Sequence, residues 1–135
     1  MKSHQSQEDY LETILMLSET HDEVHAIDIA NKLNYSKASV SVAMKKLRNL
    51  NEINVSNNGT ITLTDKGLDI AQAIYSRHKT LSWFFTKLGV NPEIAAKDAC
   101  EMEHDLSDET FNALLAHIER HKKLEENNKD ALGEI

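Results

Sequence analysis

Three short amphipathic segments followed by a tight hairpin, all within the first 66 residues, leave this chain few architectures to choose from. Tyr10, Leu11, Ile14 and Leu17 repeat at helical spacing after Ser6, which stands three residues before Asp9 as in a capping box. On that helical wheel Asp9, Glu12 and Met16 point away from the apolar face. Ile27, Ile29, Ala30 and Leu33 predict a second helix from about Ala26 to Leu33. After the turn Asn34-Tyr35, Ser36 is a good N-cap for a third helix, ending near Leu50 and anchored by Val40, Met44 and Leu47. Two β-branched runs, Ile53-Asn54-Val55 and Thr60-Ile61-Thr62-Leu63, flank Asn57-Asn58-Gly59, residues that tolerate the positive φ of a hairpin turn. Helix, helix, helix, hairpin in this order is a winged helix-turn-helix.

Charge supports that reading. The chain carries a formal net charge of −7, which argues against nucleic acid until its distribution is examined. Residues 32–66 hold six cations (Lys32, Lys37, Lys45, Lys46, Arg48, Lys66) against two acids (Glu52, Asp65). A basic segment between acidic flanks is an electrostatic footprint for phosphate. On the third helix, Ser36, Lys37, Ala38, Ser39, Ser41, Val42, Lys45 and Lys46 form the expected DNA-binding face. Ala38 and Val42 suit thymine methyl groups, Ser39 and Ser41 suit base edges, and Lys45, Lys46 and Arg48 suit phosphates. The hairpin has no Lys or Arg, so its contribution is polar and backbone only.

The second half reads as all helix. Thr64 caps a fourth helix reaching Leu88, with Ala71, Ile74, His78, Leu81, Phe85 and Leu88 as its seam. Trp83 and Phe84 lie off that seam, and a second apolar face calls for a partner subunit. Asn91-Pro92 starts a fifth helix and Ser107 a sixth, on which Phe111, Leu114, Leu115 and Ile118 share a face. From Glu125 the chain is polar, unpatterned and expected to fray. The division expected is 1–66 for DNA binding, 67–124 for a helical domain and 125–135 for a tail. No apolar run approaches the roughly 20 residues that span a bilayer, and no signal-peptide h-region is visible, so the expected location is the cytoplasm.

Cys100, Glu103 and His104 have spacing i, i+3, i+4, which on a helix places a thiol, a carboxylate and an imidazole on one face about 6 Å apart at Cβ. These are three metal-ligand types. The single cysteine cannot form an internal disulfide, so Cys100 is a buried small residue, a free thiol or a ligand. His78 interrupts an apolar seam, and Asp9 and Glu12 are free to meet another element. Each has an ordinary reading too: a core histidine, and acids complementing a helix dipole.

Through Glu8-Asp9-Tyr10-Leu11-Glu12, the helix-turn-helix, Leu63-Thr64-Asp65-Lys66-Gly67, Arg77-His78 and the run from Asp98 to Ser107, the chain resembles the diphtheria-toxin-repressor family of metal-dependent transcription regulators, over nearly all its length to about residue 118. The resemblance implies a mostly α fold with a small β-hairpin wing: a winged helix-turn-helix followed by an all-helical metal-binding and dimerisation domain. It also implies the ligands Asp9, Glu12, His78, Glu103 and His104 of the manganese-type branch. Position 100 departs from that branch, which has Glu there; the iron-type branch has Cys. The iron-type branch in turn has Met where this chain has Asp9, and Ser82 and Ala96 stand where its ancillary site has Glu and His. The hybrid set, with Cys100 included, implies a divalent ion, Fe(II) slightly preferred over Mn(II), with Zn(II) or Co(II) as substitutes. The function implied is a homodimeric, metal-activated repressor of metal-uptake genes, binding palindromic half-sites of a double-stranded DNA operator, with no membrane and no organic substrate as partner. It is not expected to be an enzyme, since no His-Glu-x-x-His or comparable motif is present. The alternatives are a metal-independent winged-helix regulator, which would leave His78 and Cys100 as plain core residues, and a metalloenzyme.

Overall fold

The computed structural model describes the backbone of residues 2–133 and the side chains of residues 7–127. The elements run α1 (Lys2–Ser18), α2 (Ala26–Leu33), α3 (Lys37–Asn49), β1 (Ile53–Val55), β2 (Ile61–Leu63), α4 (Asp65–Lys87), α5 (Pro92–Met102) and α6 (Asp108–Gly133). By packing, the chain divides inside α4 into unit 1, Met1–Ser76, and unit 2, Arg77–Ile135.

Unit 1 is a winged helix-turn-helix built as its sequence dictates. Tyr10, Leu11, Ile14 and Leu17 of α1 meet Ile29 and Ala30 of α2, Val40, Met44 and Leu47 of α3, and Ile53 and Ile61 of the hairpin in one core. Asn34 closes α2 with φ of 58°, a conformation Asn tolerates better than most residues. The Ser36 hydroxyl accepts from the Ser39 amide at 3.1 Å and so caps α3. Strands β1 and β2 pair antiparallel, with Ile53 opposite Leu63 and Val55 opposite Ile61. Gly59 turns the wing with φ of 86°, and the Ile61 amide donates to Val24 O at 2.7 Å, tying the wing to the segment before α2.

The root of the wing is held by a buried acid. Glu52 accepts from Gln7 Nε2 at 2.6 and 2.9 Å, and Lys66 Nζ lies 3.9 Å from the same carboxylate. Lys66 also donates to Leu50 O, while the Thr64 hydroxyl donates to Asn51 O and accepts from the Gly67 amide, capping α4. The first turn of α4 thereby lies so close to the wing that a Cβ at Gly67 would stand 2.0 Å from Glu52 O. Only glycine fits there.

In unit 2, Leu81, Ala95, Ala99, Phe111 and Ile118 are buried. Asn91 caps α5 by accepting from the Glu93 amide, and Ser107 caps α6 by accepting from the Thr110 amide. Gly89 separates α4 from α5 with φ of 102°.

The fold departs from the sequence reading in four places. The first helix begins at Lys2 rather than Ser6, because nothing in Lys2–Gln5 breaks a helix; the Ser6 side chain lies outside the described residues. On the α1 face turned away from the apolar core, Glu12 is buried and Asp9 and Met16 are half-buried, which the sequence reading leaves open. Ile27 and Leu88, assigned to apolar faces, are exposed. Helix α5 stops at Met102, so Glu103 is its C-cap and His104 lies in the following turn. Finally, the polar segment after Glu125 continues α6 to Gly133, since Lys, Glu, Leu and Ala propagate a helix without a buried face.

Gly67→Ala is expected to destabilise unit 1 by about 2 kcal/mol or more, because backbone rather than a flexible side chain must yield. Urea unfolding of the variant measures this; an unchanged midpoint would mean that the α4–wing contact is looser than described.

Candidate functional site

Two arrangements of polar side chains stand out, one in each unit. On α3, Val40, Met44 and Leu47 are buried, while Lys37, Ala38, Ser39, Ser41, Val42, Lys45 and Lys46 are exposed. Ser36 is exposed too, but its hydroxyl is engaged in the cap, accepting from the Ser39 amide and donating to Ser39 Oγ at 2.9 Å. The helix contains no acid. Val42 is 72% exposed, an apolar side chain standing on a polar face. Beside it, Gln7, Tyr10, Ser39, Ala43 and Lys46 line a shallow groove. The arrangement offers phosphate-seeking cations at one end of the face and small base-sized contacts at the other.

In unit 2 the turn after α5 brings three expected ligands together. Glu103 is fully buried. Its Oε2 lies 3.1 Å from His78 Nδ1, and its Oε1 lies 3.3 Å from His104 Nε2. One carboxylate therefore meets two imidazoles, one at each oxygen. A hydrogen bond joins His78 Nδ1 and Glu103 Oε2, and a metal ion could take its place between the same two atoms.

This geometry fits a divalent cation. Two ligand atoms each about 2.1 Å from one ion, at a right angle, stand about 3 Å from one another, which is close to the spacing of the two nitrogen–oxygen pairs. The mixed nitrogen and oxygen donors suit first-row divalent ions.

The same turn is held by a residue to which sequence reasoning gave no role. Arg77 Nη1 donates to Glu103 O at 3.2 Å and to Leu106 O at 2.9 Å. Its Nη2 donates to Asp108 Oδ1, and the guanidinium lies 4.8 Å from the centroid of the Phe111 ring. One planar fork thus fixes the segment presenting Glu103 and His104 and joins it to the first turns of α6. Its only signal in the sequence was its place beside His78.

Cys100 is on α5 and exposed, which removes the reading of it as a buried core residue. In unit 1, Glu12 is buried on α1 near Tyr75, whose hydroxyl donates to Glu19 Oε2 at 3.2 Å. Burial first, and then the Glu19 and Glu12 carboxylates, raise the Tyr75 phenol above its ordinary pKa.

Comparison with known proteins points the same way. Residues 3–51 match the model described as the iron dependent repressor N-terminal DNA binding domain, and residues 64–130 that of the iron dependent repressor metal binding and dimerisation domain. An uncharacterised HTH-type transcriptional regulator of Methanocaldococcus jannaschii is 38% identical over 120 residues, covering 87% of this chain and 96% of its own. The transcriptional regulator MntR of Salmonella typhimurium is 37% identical over 114 residues, covering 84% of this chain and 73% of its own. A manganese-dependent transcriptional repressor solved in complex with manganese superimposes with a TM-score of 0.76 at 27% identity, over 83% of this chain. The match covers 52% of that structure's chain, so this chain spans about half its length.

Arg77→Leu is expected to cost about 1–3 kcal/mol by leaving carbonyls without their donor, and to speed amide exchange selectively between Glu103 and Phe111. Exchange rates in that segment equal to those of the parent would show that the turn is held by other contacts.

Proposed function

The chain belongs to the iron-dependent repressor family of transcription regulators, and from that premise we propose that it is a homodimeric, divalent-metal-activated repressor of metal-uptake genes. The observation that carries this reading is the buried Glu103 carboxylate between His78 and His104, in a chain whose α3 presents an acid-free basic face. The proposed ligands are Asp9, Glu12, His78, Glu103 and His104, with Cys100 as a sixth. When bound, a divalent cation supplies the positive charge that lets several carboxylates share one small space.

The chain's own residues do the rest. Glu103 orients both imidazoles by engaging a nitrogen of each, and Arg77 fixes the turn that carries Glu103 and His104. Asp9 and Glu12 sit on the helix whose opposite face packs against α3, so their position and that of the reading helix are linked through one core. Without a neutralising charge, mutual repulsion of Asp9, Glu12 and Glu103 favours a looser α1. Coupling of about 1–3 kcal/mol between metal and DNA suffices for a five- to 150-fold change in affinity. Exposed Leu88, Ile94 and Met102, with half-buried Trp83 and Phe84, support dimerisation through α4 and α5. A dimer would present two copies of α3 to palindromic half-sites about one helical turn apart.

Fe(II) is our preferred physiological ion by a small margin over Mn(II). The thiol of Cys100 favours Fe(II), as well as Zn(II) and Co(II), while the carboxylates favour Mn(II). The relative solved with manganese argues for the second ion.

Titration of each divalent ion with operator affinity as the readout tests the proposal. His78→Ala and Glu103→Gln are expected to abolish metal-stimulated DNA binding while leaving the dimer assembled. Retained stimulation in both variants would refute the ligand set. Lys45→Ala should weaken binding to all DNA sequences and lower the salt slope by about one, whereas Val42→Ser should change preference among operator variants. An intact slope in Lys45→Ala would reverse that division. If Cys100 is a ligand, the Co(II) complex will show a sulfur-to-metal charge-transfer band that Cys100→Ser removes; a parent complex without the band restricts the site to the other five residues.

A further inference from the structure

Of the seven histidines, only His78 and His104 belong to the site above, and two of the others stand together elsewhere. His117 and His121 project from successive turns of α6 with ring centroids 4.4 Å apart and planes tilted by 58°. Both are exposed. Residues four apart on a helix share a face, and two imidazoles in that relation can direct one nitrogen each at a single ion, the spacing used by helical His-x-x-x-His zinc sites.

Their surroundings give the pair a structural consequence. Every residue from Glu119 to Asn127 is exposed, so this stretch of α6 has no buried face to hold it. Its ties to α4 are long-side-chain contacts beside the histidines: Lys122 Nζ lies 4.4 Å from the Trp83 ring centroid, and Glu125 Oε2 lies 3.4 Å from Lys87 Nζ. Such exposed contacts each contribute little. A chelate across one turn would fix the backbone where α6 leaves Ile118, the last buried side chain among its described residues.

We propose that His117 and His121 form an auxiliary two-imidazole site for a divalent ion of the nitrogen-preferring end of the first-row series, Cu(II), Ni(II) or Zn(II), with water completing its coordination, and that occupancy stiffens the exposed end of α6. The donor set lacks the carboxylates that suit Mn(II), so this site and the Glu103 cluster select differently. It would let such ions act on the dimerisation unit without competing for the activating site.

The test uses Ni(II) alone, added to the full chain and to Glu103→Ala, with bound stoichiometry from equilibrium dialysis. Quenching of Trp83, the single tryptophan, and far-ultraviolet circular dichroism serve as local readouts. One equivalent should bind in a manner dependent on both histidines, with helicity rising on binding. Because the second arm of a chelate acts at high effective concentration, His117→Ala and His121→Ala should each weaken that equivalent by roughly a hundredfold, in both backgrounds. Both residues are exposed, so neither variant threatens the fold. Undiminished Ni(II) binding in the double variant overturns the proposal, and so does a loss produced by only one of the two substitutions. Failure of the Glu103 reading would register separately, as metal-stimulated DNA binding that persists in Glu103→Ala while the His117 and His121 results stand.

Discussion

A carboxylate with no exposure to water must find positive or hydrogen-bonding partners close by, and Glu103 finds two imidazoles. Burying an ionised acid without compensation costs several kcal/mol. The fold meets that requirement from two directions: His78 comes from α4 and His104 from the turn that Glu103 itself begins. The turn is short and would be free to swing were its carbonyls not gathered by Arg77, one residue from His78 on the same helix. The consecutive pair Arg77-His78 therefore addresses both the backbone and the side chain of Glu103. That is a physical reason for the two to stand side by side.

The contrast with Glu52 is instructive, since it is also a buried acid. Glu52 is engaged by a neutral amide, Gln7, and by the flexible ammonium of Lys66, and its backbone carbonyl receives the Thr64 amide at 3.1 Å. The Lys66 ammonium has no lone pair to offer an ion, and Gln7 turns its amide nitrogen, not its carbonyl oxygen, to the carboxylate. Imidazoles have one, and so the Glu103 cluster can exchange internal contacts for coordination while the Glu52 cluster can only hold the wing against α1 and α4. Burial of acid alone does not mark a metal site; the identity of its partners does.

Most of the secondary structure was legible because each element announces its ends locally. Ser36, Thr64, Asn91 and Ser107 all cap helices where the sequence places them, and the wing's register follows from alternation around Gly59. The site was legible as a list of residues rather than as an arrangement. Cys100, Glu103 and His104 were read as one helical face, yet α5 ends at Met102, a stop set by the turn preceding the Ser107 cap rather than by any breaker. The role of Gly67 was invisible because it depends on the carbonyl of Glu52, 15 residues away. Arg77 was invisible for the same kind of reason, since its partners lie 26 to 31 residues on. The helical tail was missed because propensity alone, without an apolar face, leaves no periodic signal.

The charge of the chain and the chemistry of α3 look contradictory only when averaged. A net charge of −7 would repel a polyanion at long range, but screening confines such repulsion to about 8–10 Å at ordinary ionic strength. The helix that carries the proposed reading face holds no acid at all. Its cations sit at solvent-exposed positions, where neutralising phosphate releases counterions and supplies affinity for any sequence. Discrimination must come from something less generic. In the proposed reading exposed Val42 would contribute to it, beside Ala38, Ser39 and Ser41: an apolar side chain on a wet helix face gains free energy against another apolar surface, and the thymine methyl is such a group in the major groove. The proposal thus assigns affinity and selectivity to different residues of one 13-residue helix.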